Sequence, residues 1–210
     1  MSGSGGLAAV ILDVDGTLVD SERHGHRVAF NEAFAEFDLP DRWDEETYGR
    51  LLSITGGQRR LYQYLLERDY SEDEAEELAA SLHEYKTERF RQLAEEGSIP
   101  ARPGAERLLD EVGAAEIPLA AATTGTRVWV EPLLERLFGL DRFAIVLTST
   151  EVETRKPEPD IYFEALQRLD VPADRTVAVE DSANGLAAAR AAGVPCLIVV
   201  NDYTRDEDFG

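Results

Sequence analysis

Five short apolar runs, each ending in a polar or small residue, dictate what this chain can fold into. They span residues 8–12, 118–122, 143–147, 176–179 and 196–200, and they end at Asp13, Thr123, Thr148, Glu180 and Asn201. Such runs suit strands covered on both faces, and they are too short for buried helices. Between the last four lie helical patterns at residues 128–138, 159–169 and 182–192. Strands alternating with helices pair in parallel through crossover connections. Any ligand then gathers at the carboxyl ends of the strands.

The rhythm breaks after the first run. Residues 20–98 carry no strand signal but several helical patterns: Phe30, Phe34 and Phe37 stripe one helix, and Leu61 and Leu65 part of another. Ser71 opens a third in capping-box style, with Glu72, Asp73 and Glu74 at its positive end. Pro103 and Gly104 open the next helix of the alternating region. The expected fold class is α/β: a Rossmann-like parallel sheet core (residues 1–19 and 99–210) with an inserted α-helical cap (residues 20–98). A cap over the strand ends would shield a reacting group from water.

Composition narrows the partners. The 42 acidic residues outnumber the 21 basic ones, for a net charge of −21. That surface repels nucleic acid and anionic lipid. It resembles proteins of salt-accumulating halophiles, where high ionic strength screens self-repulsion. Only Lys86 and Lys156 are lysines, so a lysine retained inside a motif has a task. The single Cys196 lies in the apolar stretch 194–200, where a buried inert thiol is expected, and one cysteine builds no disulfide framework. No apolar run is long enough to span a bilayer, and residues 1–6 lack a signal peptide's basic start and apolar stretch. The expectation is a cytoplasmic monomer.

Four segments carry chemistry. In Asp13-Val14-Asp15-Gly16-Thr17, one carboxylate can attack phosphorus and the other can shuttle a proton, while Gly16 permits the turn. Thr123-Thr124-Gly125 offers hydroxyl and N–H groups to phosphate oxygens, and equally an N-cap for the helix that follows. Lys156, before Pro157, would offset the charge of phosphoryl group and carboxylates. Glu180-Asp181, at a strand end, suits a hard cation such as Mg²⁺. Singly these are weak signals. In this order, each at a strand end, they are strong.

On these residues the chain resembles the haloacid-dehalogenase superfamily of phosphohydrolases along its whole length. The resemblance implies that Asp13 is the nucleophile, Asp15 the general acid/base, and Thr123 and Lys156 the phosphoryl-binding pair. It implies that Asp13, the backbone carbonyl of Asp15, and Asp181 hold Mg²⁺, with Glu180 supporting the metal. Asp15 argues against dehalogenation, because dehalogenating relatives lack it.

Within that superfamily, residues 21–34 resemble the cap opening of the CbbY-type sugar-bisphosphate phosphatases. Trp43, Tyr48, Leu51, Leu52, residues 55–60, residues 121–127 and residues 202–209 continue the match. A bisphosphate needs donors at its second end. Gly56 and Gly57 can expose N–H groups, Arg60 can bind phosphate bidentately, and Glu22, His24 or His26 can meet sugar hydroxyls. Tyr48, Thr124 and Arg127 complete the candidate substrate contacts, while Trp43 is assigned to the cap core. Gln58 stands where relatives usually carry lysine, and related chains usually continue beyond the position of Gly210. The substrate implied is a small sugar bisphosphate, xylulose 1,5-bisphosphate in particular. The alternatives are a β-phosphoglucomutase-like mutase, a broader phosphatase acting on phosphoglycolate or similar metabolites, and a non-catalytic binding module, which the intact motif set argues against.

Overall fold

The computed structural model describes residues 6–54 and 56–210, so residues 1–5 and Thr55 lie outside the described residues. In chain order the elements are β1 (Ala9–Leu12), a π-type turn (Glu22–His26) leading into α1 (Arg27–Glu36), α2 (Glu45–Leu51), α3 (Gly57–Leu66) and α4 (Glu72–Glu96). Then come α5 (Ala105–Ala114), β2 (Leu119–Ala122), α6 (Arg127–Phe138), β3 (Ile145–Leu147), α7 (Asp160–Leu169), β4 (Thr176–Glu180), α8 (Ala183–Ala191) and β5 (Cys196–Ile198). The chain divides into two compact units, Met1–Asp20 with Pro100–Gly210, and Ser21–Ile99.

In the first unit the five strands form one parallel sheet in the order β3-β2-β1-β4-β5. β1 is central: Ile11 pairs with Ala120 on one side and Ala178 on the other. Every residue of β1 and β2 is buried, which explains why their sequences are apolar throughout instead of alternating. Ile11, Ala120 and Ala178 share a core with Tyr162 and Ala165 of α7 and Ala188 and Ala189 of α8. The chain leaves β1 for β2 and leaves β4 for β5, in opposite directions across the sheet. A crevice therefore opens beyond the carboxyl ends of β1 and β4. Asp13 follows the first and Glu180 closes the second.

The sheet edge departs from the sequence reading. β5 pairs only with β4, Leu197 is 62% exposed, and Cys196 is half-buried instead of sealed in a core. An edge strand lacks the second neighbour and the full cover that a central strand receives.

The second unit is helical. α1 buries Ala29, Phe30, Ala33 and Phe34, but Phe37 lies at the C-cap and is 36% exposed. The stripe expected from periodicity thus ends a turn early, where the helix itself ends. Trp43 packs at 4.8 Å from the Phe30 ring and 5.0 Å from Phe34, with Tyr48 and Tyr64 beside it. The Asn31 side chain holds the Trp43 backbone at both ends, accepting from its N–H at 2.7 Å and donating to its carbonyl at 2.8 Å. Asp44 caps α2 through the Thr47 N–H, and α4 begins in a capping box between Ser71 and Glu74. Among the described residues no helix is long and apolar enough to cross a membrane.

Candidate active site

The site begins where β1 stops. The Asp13 N–H donates to the Val179 carbonyl at 3.0 Å, so the sheet ladder fixes the backbone that carries its carboxylate. The chain then turns at Gly16, with φ at +76°, and a Cβ there would stand 2.2 Å from Asp181 Oδ2. Only glycine allows both the left-handed turn and that approach. The turn directs Asp15 toward Thr123, whose Oγ1 donates to Asp15 Oδ2 at 3.3 Å. Thr123, at the end of β2, is fully buried, and its Oγ1 accepts from the Gly125 N–H at 3.0 Å. Half-buried Thr124 sits in the turn between them.

Lys156 draws the segments together. Its Nζ donates to Asp13 Oδ1 at 2.7 Å, Glu180 Oε1 at 2.6 Å and the Ala122 carbonyl at 2.9 Å, using all three ammonium protons. Burial alone would pull its pKa down, but the Asp13 and Glu180 charges outweigh that and hold it above its usual value. Glu180 Oε1 also accepts from the Tyr162 hydroxyl, whereas its buried Oε2 has no hydrogen-bond partner. Gly185 makes room for this carboxylate, since a Cβ there would lie 1.9 Å from Oε2. Asn201 Nδ2 donates to Asp181 Oδ2 at 2.6 Å.

The site carries more negative charge than its own groups relieve. Asp13, Glu180 and Asp181 are buried, and each offers an oxygen within 4.8 Å of the others. Burial first, and then the neighbouring carboxylates, push all three pKa values up, Glu180 to about 7. One ammonium against three buried carboxylates leaves a deficit of positive charge. Hard oxygen ligands, that deficit and the orphaned Oε2 together fit a small divalent cation. The side chain of Asp15 is not in this cluster and accepts from Thr123 instead.

Arg127, a candidate substrate contact, is engaged within the fold. It pairs with Glu131, and its Nη2 donates to Glu151 Oε1 at 2.5 Å and to the Val146 carbonyl at 3.3 Å.

Within the helical unit, the structure brings several cap candidates together. The Tyr48 hydroxyl donates to Glu22 Oε2 at 2.5 Å, and the Arg60 guanidinium lies 5.5 Å from the Tyr48 ring centre. Arg60 is buried, with Nε donating to the Leu51 carbonyl at 2.9 Å and Nη2 to the Ile54 carbonyl at 3.2 Å. Gly56, with φ at +92°, precedes α3, and Gly57 packs so closely that a Cβ would meet His83 at 2.9 Å. His24 is exposed, while His26 stacks on Phe90 and holds Lys86 Nζ 2.8 Å from its Nδ1.

Sequence reasoning missed Tyr162, Asn201 and Gly185. Asn201 left a trace as the polar residue ending the fifth apolar run. Tyr162 and Gly185 left none, because on a helix they read as core and as small filler.

A family model described as haloacid dehalogenase-like hydrolase matches residues 7–193. The chain is 44% identical over 206 residues to protein CbbY of Cereibacter sphaeroides, covering 97% of this chain and 88% of that one. It is 31% identical over 191 residues to a phosphorylated carbohydrates phosphatase of Thermotoga maritima, covering 90% of this chain and 82% of the relative. The crystal structure of a point variant of CbbY from Rhodobacter sphaeroides, in complex with xylulose-(1,5)bisphosphate, superposes with a TM-score of 0.80. Identity is 42%, covering 97% of this chain and 91% of the other.

Proposed function

Since this chain belongs to the haloacid dehalogenase-like hydrolases, we propose that it is a Mg²⁺-dependent phosphatase that removes one phosphate from a small sugar bisphosphate, xylulose 1,5-bisphosphate being the first candidate. The observation that carries this reading is the shared grip of Lys156 on Asp13 and Glu180, with a second carboxylate, Asp15, two residues on and turned to Thr123. The CbbY relatives, one of them crystallised with xylulose-(1,5)bisphosphate, support the substrate class.

In the proposed reaction an Asp13 oxygen attacks phosphorus and the ester P–O bond breaks, with Asp15 giving its proton to the departing sugar oxygen. Asp15 then takes a proton from water as that water attacks the aspartyl-phosphate, releasing phosphate and regenerating Asp13. The Thr123 hydroxyl and the Thr124 N–H hold the phosphoryl oxygens, and Lys156 adds its positive charge beside them, turning a proton from one of its present acceptors to the phosphoryl group. Asp13, Asp181 and the Asp15 carbonyl would hold Mg²⁺, with Glu180 supporting it. When bound, the ion supplies charge stabilisation to the transferring phosphoryl group. Glu22, Tyr48, Gly56, Gly57 and Arg60 are the proposed contacts for the rest of the substrate.

A phosphate-release panel of sugar bisphosphates, sugar monophosphates and phosphoglycolate, run with Mg²⁺ at high salt, tests the proposal. The expected result is preferential release of one phosphate from a sugar bisphosphate. An isomerised sugar phosphate without free phosphate would identify a mutase instead.

A further inference from the structure

Between the turn that follows β2 and the loop that delivers Lys156 lies a polar cluster that the reaction does not use. Thr148, directly after β3, is fully buried. Its N–H and Oγ1 donate to Glu151 Oε2 at 2.6 and 2.8 Å. The other oxygen, Oε1, accepts from Thr150 Oγ1 at 2.9 Å and from Arg127 Nη2 at 2.5 Å. Four donors therefore converge on one carboxylate whose side chain is only 13% exposed. Burial would raise the Glu151 pKa, but Arg127 and the Thr148 groups outweigh it and hold the value at about 2.

The cluster joins the two phosphate-facing segments. Arg127 opens α6 immediately after the 123–125 turn, and the Ser149 N–H donates to the Gly125 carbonyl at 2.9 Å. The Thr123 N–H donates to the Leu147 carbonyl at 3.1 Å, closing the same seam at its base. Glu151 in turn fixes the root of the loop that ends at Lys156.

The geometry points to Glu151 as a positioning residue: with Arg127 and Thr148 it clasps the Lys156 loop to the Thr123 turn and sets the spacing between the two groups that grip a phosphoryl oxygen. This rests on the phosphatase reading for its purpose, but the clasp itself is a statement about phosphate affinity. It also gives Arg127 a task within the fold. Misplacing a gripping group by an ångström costs up to about a hundredfold in rate, so a loosened clasp is measurable.

Glu151→Gln keeps the shape and the Thr148 contacts but removes the charge facing Arg127. Arg127→Gln removes the other partner and carries the same comparison should the first variant not fold. The probe is inorganic phosphate in the presence of Mg²⁺, with its Kd measured by calorimetry on the full chain. Amide hydrogen exchange over residues 148–156 and Mg²⁺ affinity are followed alongside. Each single variant is expected to weaken phosphate about tenfold, speed exchange in that loop and leave Mg²⁺ affinity within twofold. The double variant should lose less than the two single losses added together, because the contact between Glu151 and Arg127 is removed by either substitution. Where a turned-over ester is available, KM should rise in step with phosphate Kd, and Arg127→Lys should restore part of the loss. A folded Glu151→Gln protein that binds phosphate within twofold of the parent, with unchanged exchange, would overturn the clasp. So would losses that add fully in the double variant. If the parent protein binds phosphate but hydrolyses no ester, the phosphatase reading fails while the clasp is still tested.

Discussion

Gly16 and Asp181 approach so closely that a single methyl group on the first would lie 2.2 Å from a carboxylate oxygen of the second. The two residues sit at the ends of different strands, β1 and β4, and their contact closes the acidic end of the crevice. Gly16→Ala must displace Asp181 and also force a side chain into φ +76°. The expected cost is about 1 kcal/mol or more in stability, together with a loss of Mg²⁺ affinity. Chemical denaturation and a Mg²⁺ titration check both, and unchanged Mg²⁺ affinity would contradict the account of the site.

Lys156→Met leaves Asp13 and Glu180 buried without their ammonium partner. Removing one side of a buried pair destabilises by about 3–5 kcal/mol. Added Mg²⁺ should restore part of this loss, since a cation relieves the same carboxylates. Urea unfolding with and without Mg²⁺ reads the effect.

Tyr162→Phe removes one hydroxyl and little else, because the ring is fully buried in the sheet core. Glu180 then keeps only Lys156 on Oε1. A loss of about 1.5–3 kcal/mol in stability follows, the range for a hydrogen bond to a charged group. A neutral result in denaturation would show that the hydroxyl contributes nothing to holding Glu180.

The helical unit carries an acid-sensitive group. Burial first, and the Lys86 ammonium second, pull the His26 pKa down to about 3, while Glu22 opposes them and Arg60 and His83 add to them. In the unfolded chain this imidazole titrates near 6.5. Between those values the unfolded chain binds a proton that the native one does not. Stability therefore falls as pH drops below about 6.5, by at most about 1.4 kcal/mol per pH unit. Denaturation midpoints from pH 7 to 5 should fall less steeply in His26→Gln than in the parent, and identical slopes would refute this origin.

The net charge of −21 adds a prediction about salt. Raising KCl from 0.1 M to 1 M shortens the screening length from about 10 Å to 3 Å and weakens self-repulsion. The Tm is expected to rise across that range, as it would for a salt-adapted protein. A flat or falling Tm would remove the halophilic reading.

The sequence revealed most where backbone logic and chemistry coincide. Asp13, Thr123 and Glu180 were legible because each interrupts an apolar run at a strand end, and the strand order then brings those ends together. Lys156 stood out because lysine is so scarce. The contact between Arg127 and Glu151 was not legible, because the two stand 24 residues apart and no local pattern encodes their pairing. Tyr162 was invisible for a similar reason: on a helix with an apolar face, a tyrosine whose hydroxyl meets an acid looks like any core aromatic. Phe37 shows the opposite error, since periodicity extends a stripe past the point where the helix stops.

The most direct test of the central claim is a comparison of the parent protein with Asp13→Asn on xylulose 1,5-bisphosphate in the presence of Mg²⁺, reading inorganic phosphate and the sugar product together. The account predicts one phosphate released per sugar by the parent and none by the variant, with the variant's circular dichroism unchanged. Continued release by Asp13→Asn, or a parent that leaves this and every other phosphate ester intact, would contradict it.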